Sequence, residues 1–194
     1  MGKARLEAFS DGVIAILITI MVLEMKVPHG ASLASLRPIV PTFLSYVLSF
    51  VYLGIYWNNH HHMLHVVGRV TGPMLWANLH LLFWLSLVPF VTGWMGENEF
   101  GKIPAALYGV VLLFAGTAYV ILQHLIIKSQ GPDSLLKRAI GSDWKGKISP
   151  VLYGLGIVGS FVHGFIALAC YVTVAGIWLV PDLRIERALH NDGD

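Results

Sequence analysis

Charge is scarce in this sequence and cysteine nearly absent. Only 12% of its 194 residues are Asp, Glu, Lys or Arg, while 56% are apolar. Soluble domains carry roughly 25% charged residues, so a soluble globule of this length is excluded. The mean hydropathy of +0.68 points to a polytopic membrane protein. Cys170 is the only cysteine and lies in an apolar run, which rules out an intrachain disulfide and a Cys-x-x-Cys centre. No Gly-rich phosphate loop and no catalytic cassette is present, so no enzyme activity and no cofactor is expected. The net charge of +2 comes from basic residues scattered over loops, which gives no nucleic-acid footprint. A cleaved leader is not expected at the amino-terminal end. Asp11 interrupts the start of the first apolar stretch, Glu24 and Lys26 follow it, and no small-x-small cleavage site appears.

What is there is a series of long apolar runs. A spanning helix needs about 20 apolar residues. Runs at 6–25, 41–64, 73–95 and 103–127 qualify, with Pro and Gly punctuating the gaps. The last run, Ile148 to Val180, would be about 50 Å long as one helix. That exceeds a hydrocarbon core of about 30 Å, so it divides near His163-Gly164 into spans 148–163 and 165–180. The whole chain is then one all-α transmembrane domain of six spans. Six spans put Lys3, Arg5, Arg69, Lys128, Lys137, Arg138, Lys145, Lys147, Arg184 and Arg187 on one side. Lys26, Arg37 and Lys102 lie on the other. This basic asymmetry predicts that both termini are cytoplasmic.

The first span is the most informative. Arg5, Ser10 and Asp11 stand at the lip of a membrane-length helix, and charge at membrane depth survives where it pairs or serves a pathway. At about 100° per residue, Ile16, Ile20 and Leu23 share a stripe, with Thr19 beside it. Ser10 and Asp11 point about 120–140° away from Ile16. The polar pair and the aliphatic stripe therefore face different neighbours. Helix packing with Ser and Asp as caps accounts for the same pattern.

Arg5-x-x-x-Phe9-Ser10-Asp11-Gly12, followed by an Ile/Leu/Thr helix ending at Leu23-Glu24, resembles the first helix of the endosomal and lysosomal potassium channel family known as transmembrane protein 175. It is most similar to the single-repeat prokaryotic members. Further pieces of the chain are similar too: Trp57-x-x-His60-His61, Asn78 with Pro89-Phe90, and Trp178-x-x-Pro181-Asp182 with Arg184-Ile185-Glu186. The resemblance implies a homotetramer of six-helix subunits in a bacterial inner membrane, conducting potassium and other monovalent cations. Four copies of the first helix would line the pore. A carbonyl filter of the Thr-Val-Gly-Tyr-Gly type is absent from the sequence. By position after Asp11, the family's hydrophobic constriction maps onto Ile16, with further rings at Ile20 and Leu23. Thr19 maps onto a hydroxyl layer implicated in potassium preference. Arg5, Phe9, Ser10 and Asp11 would fasten the pore helix, with His60, His61 and Asn78 as candidate partners. Arg5 and Asp11, about 120° apart around the helix, are poorly placed to pair within it.

Two rival readings carry less. A proton-coupled secondary transporter would use Asp11 and the membrane histidines, but the inverted repeats and broken midplane helices of such proteins are not evident. A metal centre or membrane enzyme around His60, His61, His62 and His65 would exploit the i, i+4 spacing of His61 and His65. Zinc wants three or four ligands, and no Cys or carboxylate lies nearby in sequence, so structural histidines are expected. Isolated His80, His124 and His163 are expected to donate between helices. Trp76, Trp84, Trp94 and Trp178 read as interface anchors or packing. Glu24 reads as an interfacial carboxylate facing water.

Overall fold

The computed structural model describes residues 2–131, 136–137 and 143–179. The described residues form helices and connecting turns. In chain order these are α1 (Lys3–Leu23), a short 3-10 helix (Leu33–Ile39), α2 (Val40–His65), α3 (Gly72–Ser86), α4 (Val88–Glu97), α5 (Lys102–Gln130), α6 (Trp144–Ser160) and α7 (Gly164–Leu179). The all-α membrane architecture expected from the sequence is the one observed. Pro181, Asp182, Arg184, Ile185 and Glu186 of the similarity motifs, and Arg138 and Arg187, lie outside the described residues.

The run 73–95 is read from sequence as one continuous span. The structure breaks it at Leu87, between α3 and α4. Pro89, in the first turn of α4, has no N–H for the ladder and its ring displaces the preceding turn. The two pieces together still form one apolar segment, Gly72–Glu97. The last apolar run is also two helices, α6 and α7, with the chain turning at 161–163. They have 17 and 16 residues, or about 25 Å each, shorter than the other spans.

Contacts at the helix ends fix the topology. Lys3 Nζ donates to the His65 carbonyl, and Gln130 Nε2 donates to the Val66 carbonyl. The start of α1, the α2–α3 turn and the end of α5 therefore share one end of the bundle. At the other end Lys26 pairs with Glu97 at 2.7 Å. Gly164 there packs against the Phe100 carbonyl so closely that a Cβ would collide with it. The α1–α2, α4–α5 and α6–α7 connections thus lie together, as alternating spans require.

Inside, small residues and hydroxyls let the helices approach. Gly109 and Gly156 form a socket for Tyr171, and a Cβ on Gly109 would also lie 2.8 Å from Ile157 Cγ1. Tyr171 Oη donates to the Ala105 carbonyl (3.0 Å), and Tyr52 Oη donates to the Tyr171 carbonyl (2.7 Å). A second chain has a definite direction. Thr92 Oγ1 donates to the Val88 carbonyl at 2.6 Å, which uses its only proton. Ser49 Oγ must then donate to Thr92 (2.6 Å), and Tyr108 Oη to Ser49 (2.9 Å). All three side chains are buried. Ser49→Ala strands the Tyr108 donor and is expected to cost about 1–3 kcal/mol, whereas Tyr108→Phe removes the donor itself and should cost about 1 kcal/mol. Thermal unfolding of the detergent-solubilised protein should rank Ser49→Ala as the less stable variant.

Candidate pore helix and its anchorage

Helix α1 lies at the edge of the bundle, packed against α2, α3 and α4. Leu6, Ser10, Ile14, Leu17 and Met21 are its buried residues. Their spacing of three or four is the i, i+3, i+4 rhythm of one helix face. The opposite face is uncovered. Ile16 is 57% exposed, Ile20 39% and Leu23 80%, and Thr19 is exposed between them. The stripe read from the helical wheel therefore lies outside the subunit core. Thr19 Oγ1 donates to the Ile16 carbonyl at 2.9 Å. Its single proton is thereby committed, and its oxygen presents only acceptor lone pairs outward.

The docked face is held by a buried polar chain in which each proton can be placed. Ser10 Oγ donates to the Leu6 carbonyl (2.9 Å), so towards Asn78 it can only accept. Asn78 Nδ2 supplies that bond at 2.9 Å, which turns Asn78 Oδ1 towards His60. His60 Nε2 lies 2.7 Å from that oxygen and must carry the proton. All three residues are fully buried. One chain thus links α1 to α3 and α3 to α2. With Nε2 protonated in the neutral ring, Nδ1 is an acceptor. Both His60 Nδ1 and Asp11 Oδ1 are buried without a hydrogen-bond partner among the described residues.

Of the expected fastening residues, the structure brings Ser10, His60 and Asn78 together. His61 is tied to α1 by another route: its Nδ1 lies 2.9 Å from Glu7 Oε1, and its ring stacks with Trp57 at 6.4 Å. Glu7 is missing from the sequence reading. It precedes Ser10 by three and Asp11 by four residues, which places it on their face of α1, and that spacing was the available signal. Arg5 and Phe9 join neither set. Arg5 is exposed and Phe9 is 49% exposed. Asp11 is half-buried and makes no bond to Arg5.

The isolated histidines differ from expectation. Trp84 Nε1 donates to His80 Nε2 one turn earlier (3.0 Å), His124 Nδ1 donates to the Val120 carbonyl (2.8 Å), and Phe165 N donates to His163 Nδ1 (3.3 Å). Each bond is local, with a helix-turn neighbour in reach, so none of these contacts ties two helices together. Among the described residues, no three His, Cys, Asp or Glu side chains are grouped to hold a metal ion.

The family described as endosomal/lysosomal potassium channel TMEM175 matches residues 5–89, which include all but the first two residues of α1 and the anchoring chain. A protein of Chryseobacterium sp. (strain P1-3) named as a potassium channel is 57% identical over 189 residues, 97% of this chain and 98% of its own. One from Chamaesiphon minutus, also named as a potassium channel, is 30% identical over 187 residues, 87% of this chain and 89% of its own. Among solved structures, the crystal structure of a lysosomal potassium-selective channel TMEM175 homolog from Chamaesiphon minutus aligns with a TM-score of 0.78. It is 27% identical and covers 93% of this chain and 97% of that one.

Proposed function

This chain belongs to the endosomal/lysosomal potassium channel TMEM175 family, a family of ion channels, and from that premise we propose that it forms a potassium-permeable cation channel with a hydrophobic gate. Four copies surround an axis in a bacterial inner membrane, with both termini in the cytoplasm. The observation that carries the proposal is the two-faced α1. One face is docked and polar-anchored, while Ile16, Thr19, Ile20 and Leu23 on the other are uncovered in the subunit.

The physical mechanism follows from those side chains. A ring of four isoleucines offers a dehydrating ion no ligand and closes a narrow path by dewetting. A small rotation or widening of α1 admits water and partly hydrated cations. The Thr19 hydroxyl, its proton held by the Ile16 carbonyl, turns oxygen lone pairs towards the passing ion one turn from the ring. One layer of hydroxyls replaces less of the hydration shell than stacked carbonyls do, so potassium preference is modest. Arg5, exposed on each subunit, is a donor for the unpartnered Asp11 carboxylate of a neighbouring copy.

Imaging the protein in lipid nanodiscs tests the assembly directly. Four α1 helices should meet on one axis with Ile16 innermost, and a lipid-facing Ile16 stripe would end the proposal. In bilayer recordings, Thr19→Val should lower the potassium-to-sodium permeability ratio several-fold and leave assembly intact. An unchanged ratio would remove Thr19 from the selectivity layer.

A further inference from the structure

A cavity lies within the subunit, away from the exposed face of α1. Helices α2, α5, α6 and α7 line a partly open cavity of about 220 Å³. A cavity of about 150 Å³ already holds a benzene ring. Tyr56, Tyr119, Tyr153 and Trp178 form aromatic walls, and among the described residues Asp143 is the charged member of the lining. Polar groups gather at the end of the bundle that carries the start of α6. Asp143 lies there, capping α6 through Oδ1, which accepts from Gly146 N at 3.1 Å. Gln123 lines the same end, and its buried side chain has no hydrogen bond to another described residue. Deeper in, Tyr56 Oη has no hydrogen bond to another described residue, although its ring meets Tyr119 edge-on at 6.2 Å.

Gly116 keeps the space open. A Cβ there would lie 3.7 Å from Tyr56 Oη and 3.8 Å from Tyr153 Cε2, ordinary contact distances. A larger side chain at this position would therefore extend into the void without colliding with backbone. Several aromatic faces with one carboxylate suit a positive, ring-bearing guest, because π-faces attract cations and a carboxylate in a low-dielectric rim focuses that attraction. The chain's own Lys145 already uses one of these rings, with Nζ 5.8 Å from the Trp178 centroid.

The geometry points to a binding site in each subunit for a small aromatic ammonium compound. Its ring lies among Tyr56, Tyr119 and Tyr153, and its charge is directed towards Asp143. The site adjoins α2 at Asn59, next to the anchoring His60, and its existence does not depend on ion permeation.

Calorimetric titration of the purified full chain in detergent tests it, with benzyltrimethylammonium as probe and benzenesulfonate as the anion of similar size. We expect one cation bound per chain, and the anion bound at least about tenfold more weakly. Asp143→Asn, which keeps a capping oxygen, should weaken the cation about tenfold and narrow the gap between the two ions. Gly116→Leu should abolish cation binding while elution volume and melting temperature stay as in the parent. Several results would overturn the assignment: no binding, equal affinity for both ions, one cation per four chains, or binding that survives Gly116→Leu in a folded protein. The last two would place the cation on the pore axis.

Discussion

Ile16→Asn is expected to raise resting cation current at least about tenfold and to lower discrimination among monovalent cations. In the proposed tetramer, the Ile16 ring is a barrier because its walls offer neither charge nor hydrogen bonds to water. Asparagine replaces each aliphatic wall with an amide that can hold water in the constriction. Lowering the barrier by only about 1.4 kcal/mol gives a tenfold rate, and four changed side chains act on it together. Ile16→Ala, which widens without adding polarity, should give a smaller increase. Because Ile16 is 57% exposed and outside the subunit core, neither substitution should disturb folding. Melting temperatures near the parent value would separate a gating effect from damage. The measurement is single-channel and macroscopic recording of purified protein in planar bilayers. Unchanged current in both variants would move the gate away from Ile16.

The positions of Ile16 and Ser10 on opposite faces were legible because one helix has one period. The angle between any two residues follows from their separation, and no knowledge of the neighbours is needed. The same holds for the separate α6 and α7, where the length of the apolar run exceeds what a bilayer accommodates. Pro89 was visible too, but whether a proline kinks a span or merely opens a turn depends on its surroundings. Partners are a different matter. Glu7 and Asp11 lie one turn apart on α1, and both are acids. Which of them meets His61 depends on the offset between α1 and α2, a tertiary quantity with no local signature. The cavity around Gly116 is less visible still. It is volume left unfilled by four helices, and no window of sequence encodes a sum over all four. For His80, His124 and His163 the local partner prevailed because a neighbour within two to four residues costs less entropy to reach than one on another helix.

Asp11→Ala and Asn78→Leu should both reduce channel activity, by separable routes. Asn78 is the centre of the Ser10–Asn78–His60 chain, and leucine cannot replace either of its bonds. The His60 Nε2 proton is left without an acceptor in a fully buried position, at a cost of about 1–3 kcal/mol, and α1 loses its buried polar tie to α3, keeping the Glu7–His61 and Lys3–His65 contacts to α2. Asn78→Leu should therefore lower the melting temperature of the subunit and, with it, the yield of assembled protein. Asp11 differs because its Oδ1 is buried yet bonded to nothing among the described residues. Removing a half-buried carboxylate whose buried oxygen has no hydrogen bond relieves a desolvation penalty, so the isolated subunit should be no less stable than the parent. If the missing partner is Arg5 of the neighbouring copy, alanine leaves that interface without its ion pair, and breaking a buried pair can cost about 3–5 kcal/mol. Asp11→Ala should then shift the population from tetramer to smaller species with the subunit fold retained. Size-exclusion chromatography with mass determination, together with thermal unfolding, reads both quantities. An intact Asp11→Ala tetramer with altered ion selectivity would assign Asp11 to the ion path instead of the subunit contact.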